Sequence, residues 1–172
     1  LDPKQNGPIL DYCAGGGGKS LALAAWLGGA VHAHDVNPRR MVDLPARAKR
    51  ANAQISTRTK DQFEPDYGVV FCDAPCCGSG SWRRDPEGKW ALTQDQLDAL
   101  ISTQRDILSD AAKLVAPDGR LVYVTCSVLA CENQDQIDWF TAQNPRWRVE
   151  TQKQWVPSAQ GDGFFASVLA QL

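Results

Sequence analysis

Four short apolar runs, each with a polar or reactive residue at or next to its end and each followed by a helix-like stretch, restrict this 172-residue chain more than any other feature of it. They cover 8–13, 31–36, 67–73 and 121–126. Runs this continuously apolar suit strands buried on both faces, and only helical crossovers join parallel neighbours compactly. The alternation therefore predicts an α/β fold on a mostly parallel sheet covered by helices. Helices are expected over 19–27, with Leu21, Ala24, Ala25 and Leu27 toward the sheet, over 38–52, over 93–115, and over 132–143 with Ile137, Trp139 and Phe140 inward. Thr93 and Gln96 have capping-box spacing, and Ala116-Pro117-Asp118-Gly119 is expected to stop the third helix and turn into the next strand. Ligands of such sheets gather at the strand carboxyl ends. Cys13, Asp35, Asp73 and Cys126 fall there, four reactive or polar side chains on one rim.

Composition narrows the class. With 43% hydrophobic and 22% charged residues the chain is globular, and its length suits a single domain over 1–172. No apolar run approaches the roughly 20 residues that span a bilayer, and no signal-peptide pattern opens the chain. A soluble cytoplasmic protein with no membrane partner is expected, with its six cysteines as thiols. Clean CxxC pairs are absent, so no metal is expected. Eighteen basic against twenty acidic residues give a net charge of −2, so nucleic-acid binding must rest on local patches. A start at Leu1 with the sole methionine at Met41 reads as a piece trimmed from a longer chain.

The first strand passes into the first helix through Asp11-Tyr12-Cys13-Ala14-Gly15-Gly16-Gly17-Gly18-Lys19-Ser20. Glycines there let backbone approach a ligand closely. Gly18-Lys19-Ser20 matches the end of a P-loop, but Cys13 occupies the leading glycine position and the triphosphate pattern fails. Gly15 and Gly17 approximate a dinucleotide fingerprint, and Asp35, about twenty residues on at a strand tip, is placed to accept the hydroxyls of a ribose. A cap before Asn37-Pro38 is the plainer reading of Asp35.

Asp73-Ala74-Pro75-Cys76-Cys77 and Thr125-Cys126-Ser127 put a thiol just beyond each of two strands. Two thiols on one rim suit covalent catalysis on an electron-poor ring. A thiolate adding at carbon 6 of cytosine makes an enamine whose carbon 5 can attack an activated methyl group; a second group must then remove the carbon 5 proton. Composition leaves open which cysteine attacks. Cys72 and Cys131 read as small buried hydrophobes.

At these residues the chain resembles the Sun family of RNA cytosine-5 methyltransferases, most closely its bacterial ribosomal-RNA branch, over most of its length. The resemblance implies a Rossmann-like S-adenosylmethionine-dependent methyltransferase fold, mostly parallel with helices on both faces, and an antiparallel edge strand from the apolar tail over 162–169. The family loop is of the Cys-Ala-Ala-Pro-Gly-Gly-Lys-Thr type; Gly15 and Gly16 stand in its Ala and Pro places, which is expected to loosen the loop. S-adenosylmethionine is implied at Cys13, Ala14, Gly15, Gly16, Gly17, Gly18 and Lys19, with Asp35 on its ribose, Asp61 near its adenine and Asp73 at its methionine end beside the target base. Lys19 would also reach the cytosine. The family pattern makes Cys126 the nucleophile and Cys76 the residue that helps release product; Cys77 stands where the family usually has Ser. The loop over 78–90 resembles the family's, and its Arg83, Arg84, Lys89, Trp82 and Trp90 suit phosphate contact and base stacking.

The function expected is RNA cytosine-5 methylation by a monomer, on ribosomal RNA in preference to transfer RNA, with an upstream RNA-binding region of the family missing from this piece. Two other readings stay open: a nicotinamide-dependent dehydrogenase built on the glycine loop and Asp35, and a zinc-stabilised nucleic-acid binding module using Cys72, Cys76, Cys77, Cys126 and Cys131.

Overall fold

The structure, a computed structural model, describes residues 7–64 and 66–172. Strands β1 (Ile9–Asp11), β2 (Val31–Ala33), β3 (Ile55–Thr57), β4 (Tyr67–Asp73), β5 (Val115–Thr125), β6 (Trp147–Trp155) and β7 (Phe164–Gln171) alternate with helices through β5. The helices are α1 (Gly18–Leu27), α2 (Leu44–Arg50), α3 (Pro86–Ala91), α4 (Gln94–Ala112) and α5 (Gln134–Gln143). The hydrogen-bonded strand order is β3-β2-β1-β4-β5-β7-β6. β1 is parallel to both β2 and β4, and β2 to β3, whereas β6 and β7 are antiparallel. The antiparallel edge expected from the sequence is thus a strand pair. The closing apolar tail supplies its inner member β7, and β6, unassigned from the sequence, is the outer one.

The residues form two compact units, one running to Asp73 and taking in Ala111–Leu121, the other Ala74–Asp110 and Val122–Leu172. In the first, Leu10, Val31, Ala33, Val69 and Val70 are buried along the parallel strands. A cluster of Ala14, Ala33, Met41 and Leu44, flanked by Leu21 and Ile55, seats the glycine loop. Gly17 sits against it with φ +78°, and a Cβ there would lie 2.2 Å from Leu44 Cδ1. Only glycine meets both demands. In the second unit Tyr123, Phe140, Ile137, Phe165 and Leu169 are buried, Tyr123 meeting Phe165 edge to face.

Several boundaries differ from those read in the sequence. α1 buries Ser20 and Leu23, with Leu21, Ala24 and Leu27 half-buried and Ala25 exposed. The Ser20 hydroxyl donates to Asp11 Oδ2 at 2.6 Å, a polar tie that sets the helix's rotation and that apolar periodicity does not register. The expected helix over 38–52 divides into a 3₁₀ turn, Pro38–Met41, and α2. Asn37 caps the turn through Arg39 N–H, and Pro45 in the first turn of α2 rules out one continuous helix.

The α4 helix ends at Ala112, and β5 already begins at Val115, so 116–119 belongs to the strand instead of a turn. The Tyr67 N–H donates to the Leu114 carbonyl, and Gly119 lies so close to the Tyr67 and Gly68 carbonyls that a Cβ would meet them at 2.7 and 3.0 Å. Strand pairing therefore starts ahead of the Pro-Asp-Gly segment. The fourth expected helix begins at Gln134, after a 3₁₀ turn over Ala130–Glu132; Ile137 and Phe140 are buried as expected, and Trp139 is half-buried beneath Arg105. Cys72 is fully buried, but Cys131 is only half-buried. Among the described residues no helix is long and apolar enough to cross a membrane.

Candidate active site

The glycine loop turns out of β1 and closes on the tip of β2. Gly15 N–H donates to Asp35 Oδ2 at 2.9 Å, and Asn37 N–H donates to Asp35 Oδ1 at 2.9 Å. Asp35 is buried, and Arg40 approaches its Oδ2 at 3.2 Å. The carboxylate thus holds the Asn37 backbone and pins the loop, while the cap that its plainer reading assigned to Asp35 is supplied by Asn37. Those two backbone bonds and the Arg40 contact take up about three of its four acceptor positions. The loosening expected from the lost proline is offset from outside. The Arg40 guanidinium lies over Gly15, where a Cβ would sit 3.1 Å from it, and Arg47 donates to the Gly16 carbonyl.

Beside Asp35 lies a cavity of about 250 Å³, with Asp35, Val36, Pro38 and Met41 on one side and Thr57, Arg58, Thr59 and Gln62 on the other. Its mix of apolar wall and one carboxylate fits a nucleoside. Asp61 does not line it. That residue is exposed on the 3₁₀ turn Lys60–Gln62, and a hydrogen bond from Thr59 holds its carboxyl below the usual range. Thr57, Thr59 and Gln62 were not anticipated, because β3 is three residues long and leaves no periodic trace.

Lys19, in the first turn of α1, reaches Asp73 at the end of β4, with Nζ 2.5 Å from Oδ2 and both side chains partly exposed. The structure thus joins the two residues expected beside the target base. Burial first, then the nearby Asp11, Asp35 and Asp73 carboxylates, push the Cys13 thiol up to about 12. Cys13 therefore stays protonated and is no nucleophile.

Asp11 was missed from the sequence, although it is the residue at which β1 gives way to the glycine loop. It is fully buried, Oδ2 accepts from Ser20, and Oδ1 finds no partner among the described residues. Burial raises its pKa from 3.8 to about 6. The folded state therefore holds this proton more tightly than the unfolded chain does. The stability this gives is present below 3.8 and is lost as pH rises toward about 6. Asp11→Asn should accordingly gain stability on the parent protein across that window, read as a difference in denaturant midpoint at pH 4 and pH 7; a pH-independent difference would remove the titration assigned to Asp11.

In the second unit the thiols of Cys76 and Cys126 meet, Sγ to Sγ at 3.3 Å, both half-buried. All six cysteines are thiols. The hydrogen bond to Cys126, reinforced by burial, pushes Cys76 far above the ordinary thiol range. Either sulfur can donate in that hydrogen bond, and the raised proton affinity of Cys76 favours Cys76 as the donor. Cys77 faces elsewhere, with Sγ 3.6 Å from Ser127 Oγ, and burial raises its pKa too. Among the described residues no group of three or more His, Cys, Asp or Glu is arranged to hold a metal ion.

The loop over 78–90 folds as a 3₁₀ turn, Ser79–Ser81, followed by α3. Arg84 chelates Asp162 through Nε and Nη2, and Arg83 lies 3.8 Å from the same carboxylate. Those two cations are engaged within the protein, whereas Trp90 is 80% exposed with Lys89 Nζ 5.1 Å from its ring centre. Trp82 is half-buried, and its Nε1 has no hydrogen-bond partner among the described residues.

Residues 1–170 match the family model described as 16S rRNA methyltransferase RsmB/F. The ribosomal RNA small subunit methyltransferase B of Vibrio vulnificus (strain YJ016) is 30% identical over 186 residues, covering 99% of this chain and 44% of that protein. Its counterpart in Yersinia pseudotuberculosis serotype O:1b (strain IP 31758) is 33% identical over 184 residues, covering 96% and 42%. The chain thus spans less than half the length of these relatives. The crystal structure of PH0851 shares the fold at a TM-score of 0.90 and 31% identity, over 99% of this chain and 44% of that one. NSun6 from Pyrococcus horikoshii, solved with SFG, gives a TM-score of 0.84 over 97% of this chain and 48% of its own; at 21% identity it speaks to the fold alone. These likenesses make the fold Rossmann-like, of the methyltransferase type. With the family pattern running through all but the last two residues, this chain belongs to the 16S rRNA methyltransferase RsmB/F family.

Proposed function

We propose that residues 1–172 form the catalytic domain of an S-adenosylmethionine-dependent RNA cytosine-5 methyltransferase acting on ribosomal RNA in the cytoplasm. The observation that carries this reading is the Cys76–Cys126 sulfur pair, with the proton assigned to Cys76. A dehydrogenase has no use for such a pair, and the family description favours ribosomal over transfer RNA.

S-adenosylmethionine, when bound, supplies an electrophilic methyl group. Asp35 accepts from a ribose hydroxyl at the acceptor position its backbone bonds leave open, and Val36, Pro38 and Met41 offer apolar surface to the adenine. SFG, an analogue of that cofactor, accompanies the NSun6 structure, which supports the choice of methyl donor. The family resemblance assigns Lys19 and Asp73 to the base, with the ammonium drawing electron density from the ring. The Cys126 thiolate would add at carbon 6, forming a carbon–sulfur bond; the electron pair displaced to carbon 5 would form the bond to the methyl group, whose bond to the donor's sulfonium sulfur breaks with its electron pair left on that sulfur. Once the Cys126 sulfur is bonded to carbon, the main cause of the high proton affinity of Cys76 is gone. Cys76 can then lose its proton to solvent and, as thiolate, take the one on carbon 5; the carbon–hydrogen electron pair re-forms the carbon 5–carbon 6 double bond and expels Cys126 as thiolate. Trp90 and Lys89, exposed together, serve the RNA by stacking and charge.

The direct test is Cys76→Ala in a Cys77→Ala background, incubated with ribosomal RNA and S-adenosylmethionine. The methylated RNA should stay bonded to Cys126 and run as a shifted band under denaturing conditions. Normal release of methylated RNA from this variant would overturn the role of Cys76.

A further inference from the structure

Two adjacent side chains tie down both cysteine-bearing turns. Glu132 closes the 3₁₀ turn Ala130–Glu132 and Asn133 precedes α5; both are buried. Glu132 Oε1 accepts from the Cys77 N–H at 2.9 Å and from Gln104 Nε2 at 3.0 Å, and that same amide donates to the Pro75 carbonyl at 2.9 Å. The backbone is therefore held on each side of Cys76. Asn133 does the same around Cys126: its Oδ1 accepts from Thr125 Oγ1 at 2.5 Å, and its Nδ2 donates to the Ser127 carbonyl at 2.9 Å. The Tyr123 hydroxyl fixes the pair in turn, donating to the Glu132 carbonyl at 2.7 Å.

Burying a carboxylate is costly unless hydrogen bonds replace its water, and Glu132 replaces only part of it. Oε2 has no partner among the described residues. An apolar residue of similar size would pack the same space without that cost. What an apolar residue cannot do is accept the Cys77 N–H and, through Gln104, govern the Pro75 carbonyl. We propose that Glu132 and Asn133 are positioning residues that set the separation of the Cys76 and Cys126 sulfurs, which rests, for its catalytic meaning, on the cysteine roles given above. Being neighbours in the chain, they cannot shift independently. A displacement of one turn is passed to the other, so the two sulfurs keep their spacing.

The test reads that spacing without RNA. Dibromobimane becomes fluorescent when two nearby thiolates each displace one of its bromides, and the Cys76–Cys126 product is identified by peptide mass. The parent protein should bridge readily, whereas Glu132→Ala and Asn133→Ala should bridge roughly tenfold more slowly and transfer methyl groups about 100-fold more slowly, with S-adenosylmethionine binding retained. Glu132→Gln keeps an acceptor for the Cys77 N–H and should recover the bridging rate, which a merely structural loss would not do. Bridging at the parental rate in a folded Glu132→Ala protein would overturn the proposal. If that variant does not fold, Asn133→Asp decides: it keeps the acceptor for Thr125 and loses the donor to Ser127, so slowed bridging supports the proposal and parental bridging ends it. Bridging that depends on these residues in a protein unable to methylate RNA would leave the positioning intact and count against the proposed function instead.

Discussion

Cys126→Ala is expected to lower methyl transfer by roughly 10⁴-fold or more, the scale on which removal of a covalent nucleophile acts, while S-adenosylmethionine binds as before. The size follows from what the sulfur does. Carbon 5 of cytosine is too weak a nucleophile to attack a methyl group until another nucleophile has added at carbon 6, and Cys126 is the thiol whose sulfur lies 3.3 Å from that of Cys76. Cys13 and Cys72 are held protonated by burial and nearby carboxylates, and Cys77 is directed at Ser127. The retained binding follows because the loop, Asp35 and the adjoining cavity contain no part of Cys126. Tritium transfer into small-subunit RNA measures the first half and titration calorimetry the second. Turnover near the parental rate would remove Cys126 from the chemistry altogether.

Gly80→Ala should have the largest effect on stability. A Cβ at Gly80 would stand 2.1 Å from the Gly163 carbonyl oxygen and 2.8 Å from that of Cys126, both of them backbone atoms with no rotamer to yield. The same residue donates its N–H to the Cys126 carbonyl and accepts from the Gly163 N–H, each at 2.9 Å. Relieving the clash breaks both bonds, so overpacking and two lost hydrogen bonds together cost about 3 kcal/mol or more. In a chain of this length that lowers Tm by roughly 6–12 °C. Gly161→Ala is the control, because nothing lies within 4 Å of the Cβ it would add. Equal Tm values for the two variants would show that the Gly80 contact is not rigid.

The sequence displayed what depends on local pattern. The parallel strands announced themselves as apolar runs because both faces are covered, and the glycine loop and Asp35 stood out because close backbone approach and a strand-end carboxylate leave recognisable residue types. Other features depend on partners far along the chain. The rotation of α1 follows from Ser20 meeting Asp11, and the start of β5 from pairing with Tyr67, neither of which periodicity carries. The outer strand β6 is mostly exposed and polar, and a bulge between Val149 and Thr151 breaks the alternation that Trp147 and Val149 begin. At the candidate site, resemblance named the two cysteines, but not which one keeps the proton. The 3.3 Å separation of their sulfurs and the burial around Cys76 point to Cys76. Arg83 and Arg84 looked like free phosphate contacts because their partner Asp162 lies 78 residues beyond Arg84.

Arg40 and Arg47, set over Gly15 and Gly16, have an evolutionary consequence. A proline ring stiffens its own peptide whatever surrounds it, whereas a loop clamped by guanidinium groups borrows its order from another segment. The two solutions compete at position 15, where φ is +52° and a Cβ would sit 3.1 Å from Arg40, whereas a Cβ at position 16 would only touch Arg47, at 3.6 Å. Substitutions at 15 and 40 are therefore expected to be coupled: a side chain at 15 displaces Arg40, and a chain that loses Arg40 first is expected to pass through a looser glycine loop.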